Sequence, residues 1–157
     1  MSNKLQEVHL VPGLAPVDAA STAKQSDVVG AKEGLELEFD ALFGVITGDT
    51  VVVTIEECDD TTPTNTTAIA FNYQLSSAVG TDVMGAVTAA TTAGVTIAAA
   101  DDGKVLRCFV DPAALSAARP YVRAVATPGG SMTVCLVAIV ALIRDRYPQE
   151  VPISAVD

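Results

Sequence analysis

The stretch "VCLVAIVALIRDRYP", Val134 to Pro148, sets ten apolar residues in a row and then breaks into Arg144, Asp145 and Arg146. Whether it is a membrane anchor, a buried helix or a strand decides the class of the protein. Even counted from Met132, the run ends at Ile143, short of the roughly 18 residues a spanning helix needs. Val134, Val137, Ile139, Val140 and Ile143 are β-branched, and Pro128 to Gly130 set the run off from "YVRAVAT" by a tight connector. These features predict a strand that is apolar on both faces, central in its sheet and antiparallel to the strand before it.

Working outward, the rest of the chain reads as further strands. "GLELEFDALF" alternates Leu35, Leu37 and Phe39 with Glu36, Glu38 and Asp40, the pattern of a half-buried strand. "TVVVTIEECDD" follows with Val51, Val53 and Ile55 in phase, and the two are expected to pair as a hairpin around "GVITGD". "TTPTNTT" is a loop by composition, and "AIAFNYQL" returns to alternation. "SSAVGTDVMGAVTAATTAG" is too rich in Ala and Gly to assign as strand or helix. Asp102-Gly103 predicts a second hairpin within "VTIAAADDGKVLRCFVDP". In "DPAALSAARP", Asp111 as N-cap and Pro112 at the first helical position predict one or two helical turns.

Seven or eight strands with one short helical connector and extended termini define an all-β protein, an antiparallel β-sandwich. A jelly-roll arrangement and an immunoglobulin-like one both fit this pattern. At 157 residues one core is expected, over 30–148, preceded by an extended arm over 1–29 and followed by a tail over 149–157. Within the arm, strand-like pieces such as "EVHLV" suit addition to a neighbouring sheet.

Composition narrows the function. Half the residues are hydrophobic but aromatics make up 4% and Trp is absent, so sugar-binding platforms and glycosidase clefts are disfavoured. The formal net charge of -10 repels phosphate backbones and anionic lipid, so nucleic acid and membrane are not expected partners. Cys58, Cys108 and Cys135 lack metal or redox spacing and read as small hydrophobes in a reducing compartment. The N-terminus has no uninterrupted apolar segment, so the chain is expected to be used without export. An acyl-transfer triad would have to recruit His9, the single histidine, and no P-loop, G-x-S-x-G or G-x-G-x-x-G occurs. "EECDD" and "ADDG" would bring Glu56, Glu57, Asp59, Asp60, Asp101 and Asp102 to strand ends, where carboxylates can hold calcium but where turns also need Asp and Gly. No enzyme activity, cofactor or metal is expected.

Three segments together resemble a known group. "TVVVTIEECDD" with its Thr-rich loop, "RPYVRAVATPGG", and an apolar strand ending in "RDRYP" resemble small structural proteins of tailed-bacteriophage heads, the capsid cement or head decoration proteins. The resemblance covers Thr50 to Pro148; the long arm, the Ser76 to Gly94 insertion and the tail "QEVPISAVD" depart from that compact pattern. It implies a jelly-roll sandwich that binds the outer surface of an expanded shell, bridges capsomers, and has the major capsid protein and itself, as dimer or trimer, for partners on the virion. Candidate contacts are then Leu5, Val8, Leu10 and Leu14 in the arm and Val151, Ile153 and Val156 in the tail. A tail or head-fibre adhesion module for a host surface ligand is the alternative, and a metal-dependent sandwich hydrolase a third.

Overall fold

The computed structural model describes residues 8–31 and 34–145. Two antiparallel sheets face each other. Sheet A holds β1 (Val8–Asp18), β4 (Gly34–Thr47), β7 (Phe71–Leu75), β8 (Thr88–Ala90), β10 (Val105–Val110) and β12 (Val134–Asp145), in the order β1-β12-β4-β10-β7-β8. Sheet B holds β2 (Lys24–Gln25), β3 (Val29–Gly30), β5 (Val51–Cys58), β6 (Thr66–Ile69), β9 (Val95–Ile97) and β11 (Tyr121–Pro128). Its spine is β2-β11-β5-β6, with β3 also on β11 and β9 also on β5.

Taking β2 and β3 as two halves of one strand, and leaving aside β7, β8 and β9 as an insertion, eight strands remain. In chain order they run 1-8-3-6 in sheet A against 2-7-4-5 in sheet B. That order is a jelly roll, and it answers the choice left by the sequence against the immunoglobulin-like arrangement.

The same topology corrects three expectations. In a jelly roll most successive strands lie in opposite sheets, so a turn between two alternating runs need not close a hairpin. β4 and β5 are joined by the Gly48-Asp49 turn yet belong to different sheets: β4 pairs with β12 and β10, and β5 with β11, β6 and β9. Asp102-Gly103 carries the chain from β9 in sheet B to β10 in sheet A, through a 3-10 turn at Ala99–Asp101. There the Asp102 carboxylate accepts from the Ile46 N–H, 2.8 Å, a donor beside the bulge that interrupts β4 opposite Leu136. β12 is central, as read, but its neighbours are β1 and β4; the preceding strand β11 faces it from sheet B.

Residues 8–18, read as part of an arm, form an edge strand of the chain's own sheet, running antiparallel to β12 from Val8 opposite Arg144 to Asp18 opposite Leu136. Pro12, Pro16 and two register shifts blunt the outer side of this edge, and the Gly13 carbonyl there accepts from the Asp27 N–H, 2.6 Å. Its apolar residues lack a clean period because of those shifts.

The core lies between the sheets. Leu37, Phe39, Ala41, Leu106, Cys108, Ile139, Ala141 and Ile143 of sheet A join Val51, Val53, Ile55, Val122, Ala124 and Ala126 of sheet B in one buried cluster. Burying each of the larger aliphatic side chains contributes about 1.5–3 kcal/mol relative to exposure. The predicted helical turn is a single 3-10 turn, Pro112–Ala114, with the Asp111 carboxylate accepting from the Ala113 N–H.

Candidate contact surface

The two faces of β12 have different surroundings. Cys135, Val137, Ile139, Ala141 and Ile143 are buried between the sheets. The alternate residues Leu136, Ala138, Val140 and Leu142 point away from sheet B and are apolar as well, where an antiparallel strand with one solvated face would carry polar groups. The strand is therefore apolar on both faces, and among the described residues only one of them is covered.

Neighbouring strands extend this row. Leu10 of β1 lies opposite Leu142, and Leu42 of β4 opposite Ala138. Leu10 is 65% exposed, Leu42 and Leu136 43% each, and Val45, in the bulge opposite Leu136, 49%. Beyond them a charged strip crosses β4 and β10. Arg107 is bidentate to Asp40, 3.0 and 3.2 Å, and its Nε is 2.5 Å from Glu38. Arg144 reaches Glu36 at 3.3 Å, both largely exposed, a pair worth little in water. Burial pushes the Glu38 carboxyl up to about 7, reinforced by the negative charge of Asp40 and opposed by Arg107. Asp40 in turn raises the Arg107 guanidinium above its ordinary range.

The register also places the chain ends. Val8 is paired with Arg144, so the described chain enters on β1 and leaves on β12 side by side at one pole of sheet A. A groove of about 190 Å³ lies there among Val8, Glu36, Glu38, Leu142 and Arg144.

Of the candidate contacts named from sequence, Leu10 lies on this face and Val8 is half-buried at its pole. Leu14 is half-buried and packs against the core. Leu5, Val151, Ile153 and Val156 lie outside the described residues. Leu42, Val45 and Leu136 are not among those candidates; the signal for them in the sequence is the apolarity of β12 in both phases. A second exposed group, Val79, Val83 and Val87, lies on the Ala/Gly-rich insertion before β8.

The acids considered for calcium have structural partners instead. Glu56 pairs with Arg123 across β5 and β11 at 2.8 Å. Asp59 accepts from the Asn65 backbone and side chain, Asp60 from Thr61, and Asp101 pairs with Lys104 at 3.0 Å. Glu57 is buried and accepts from the Ser116 N–H at 2.9 Å, the Ser116 hydroxyl at 3.0 Å and Arg119 Nη1 at 3.3 Å. Burial works to raise the Glu57 carboxyl, but these bonds outweigh it and hold it below the usual range. Among the described residues no group of three or more His, Cys, Asp or Glu side chains is arranged to hold a metal ion. His9 is half-buried on β1 opposite Ile143. All three cysteines are buried free thiols, and burial raises each of them, Cys58 to about 11. No helix among the described residues is long and apolar enough to cross a membrane.

No family model and no curated protein matches the sequence. Among solved structures, the chain is similar to one of infectious bursal disease virus Gt strain, with TM-score 0.28 and 11% identity over 90% of this chain and 42% of that one. It is similar to one of the Gx strain of the same virus with TM-score 0.29 and 13% identity, again over 90% and 42%. The chain thus spans less than half the length of those viral chains, and a likeness at this level carries no argument about function.

Proposed function

We propose that this chain is a noncatalytic structural protein of a virus particle, a capsid cement or decoration protein of the tailed-phage type. It binds the outside of an expanded shell, with the major capsid protein as partner, and bridges neighbouring capsomers. The observation that carries this reading is the pole of sheet A, where both described ends of the chain lie side by side next to an apolar face. A rigid sandwich presents one uncovered apolar face, with both described ends of the chain side by side at one pole. Such a body suits attachment by several modest contacts acting together, which multivalency converts into tight binding.

The sequence resemblance gains coherence from the fold. "TVVVTIEECDD" is β5 with its flanks and "RPYVRAVATPGG" is β11 with its flanks, and these strands pair directly from Cys58 opposite Tyr121 to Val51 opposite Pro128. Two segments 70 residues apart, Val51 and Tyr121 at their strand starts, therefore form one piece of sheet, tied by the Arg123–Glu56 ion pair. Around them the polar groups considered for chemistry serve turns and strand crossings.

Co-sedimentation with compact and expanded shells of the particle whose genome encodes the chain tests the proposal. Saturable binding to the expanded form, with greater heat resistance of the bound particles, is expected. Folded protein that binds neither form refutes it and favours the adhesion module.

A further inference from the structure

We infer that the outer face of sheet A is a two-fold self-interface, in which the apolar row of Leu10, Leu42, Leu136, Ala138, Val140 and Leu142 is covered by the same row of a second copy of this chain. The inference rests on the reading above for its setting and assigns the apolar row itself to the second copy, which leaves the pole where β1 and β12 end side by side for the shell.

Charge is the first ground for this occupant. The chain carries a net charge of -10, so two copies repel over most of their surfaces. The face is closer to balance: Glu36, Glu38 and Asp40 are set against Arg107 and Arg144, each base already with its acid, and the Asp18 carboxylate opposite Leu136 accepts from the Cys135 and Ala20 N–H groups. A partner chosen by charge would find no unpaired group here to bind. A partner that is itself apolar and locally near neutral meets no penalty, and the same face of another copy is such a partner.

Shape and area point the same way. The row lies in the middle of an open sheet, flanked by β1 and β4, and the natural cover for a sheet face is another sheet stacked about 10 Å away. The apolar row lies on three strands, β1, β12 and β4, and over the about 20 Å from Leu136 to Leu142 covers roughly 300 Å² in projection; with the polar rim on β10 and β7 the face reaches roughly 500 Å². Accessible surface follows the side-chain relief and exceeds the projection. The face therefore approaches the about 800 Å² that each partner gives to a standard stable interface. An isologous contact needs one self-complementary patch, and an apolar row running along a central strand supplies it.

The test is sedimentation velocity of the full chain from about 1 to 100 µM, a range that spans interfaces of this size. Leu136→Lys and Leu42→Lys are the separate test variants, both at exposed positions that leave the core intact. Val79→Lys, in the other exposed apolar group, is the control. The wild type and Val79→Lys are expected to dimerise, and each test variant to dimerise about a hundredfold more weakly, because a two-fold contact meets every substitution twice. Unchanged circular dichroism shows that the variants fold. A wild type that stays monomeric throughout the range overturns the inference, as does a folded pair of test variants that dimerise as tightly as the wild type. The shell-binding assay fails separately: a dimer that ignores shells refutes the cement reading alone, and a monomer that binds them refutes the self-interface alone.

Discussion

Replacing Glu57 tests whether the acids at the end of β5 are structural. Glu57 is buried beneath the segment that follows the Pro112–Ala114 turn and accepts three hydrogen bonds from it. A hydrogen bond to a charged group contributes about 1.5–3 kcal/mol, and breaking a fully buried pair costs about 3–5 kcal/mol. Here Ser116 is exposed and the Arg119 side chain is 31% exposed, so the released donors recover water and the cost falls to about 2 kcal/mol for Glu57→Ala. For a domain of this size that lowers Tm by roughly 4–8 °C. Glu57→Gln retains one acceptor oxygen but sets an amide NH2 against a donor, and is expected to cost about 1–2 kcal/mol. The pH dependence follows from the lowered carboxyl: its stabilisation is present above the usual carboxylate range and is lost as pH falls through the folded value. The gap in Tm between wild type and Glu57→Gln should therefore narrow between pH 7 and pH 3 in thermal scans. A Glu57→Ala protein within about 0.5 kcal/mol of wild type at pH 7 would refute the reasoning.

Glu38 has the opposite sign. With its carboxyl raised to about 7, the folded chain holds a proton that the unfolded chain has released, so this contribution to stability is present at low pH and is lost as pH rises from about 4.5 to 7. After discounting for solvent access, denaturant unfolding should show about 1 kcal/mol more stability from this group at pH 5.5 than at pH 8, an increment missing in Glu38→Gln. Ile139→Ala, inside the core, should cost about 3–4 kcal/mol, whereas Val140→Ala on the outer row should cost under about 1 kcal/mol in the monomer; equal costs would show that both faces are covered within one chain. Gly94→Ala should cost about 2–3 kcal/mol by chemical denaturation, since φ is +82° there and an added Cβ would lie 2.3 Å from the Val53 carbonyl oxygen.

The strands were legible in the sequence because alternation reports one buried face, and β4, β5, β10 and β11 each show it. Their partners were not, because a turn signature such as Asp102-Gly103 reports a change of direction and not which sheet receives the chain. β1 was hidden by its own devices against edge pairing, since Pro12, Pro16 and the register shifts also scramble its period. The role of Glu57 had no local signal: its partners, Ser116 and Arg119, lie about 60 residues away and are brought over it by the crossing into β11.

Alternation also has a blind side, and β12 shows where it lies. A strand apolar in both phases states that neither face is meant for water, and the sequence cannot say whether the second cover comes from the same chain. In a two-layer sandwich each sheet has only one inner face, so a doubly apolar strand is satisfied by a third layer or by another molecule. No third layer lies over sheet A among the described residues. Sheet B differs at the equivalent place, where Arg123 of β11 lies opposite Glu56 of β5, Val125 opposite Thr54 and Thr127 opposite Val52, so polar groups interrupt the apolar ones. The two outer faces of one sandwich therefore differ: on sheet A the charges are gathered into a strip over β4 and β10 and the β12 row is continuous, and an exposed apolar row rimmed by polar groups is the general pattern of an interaction surface.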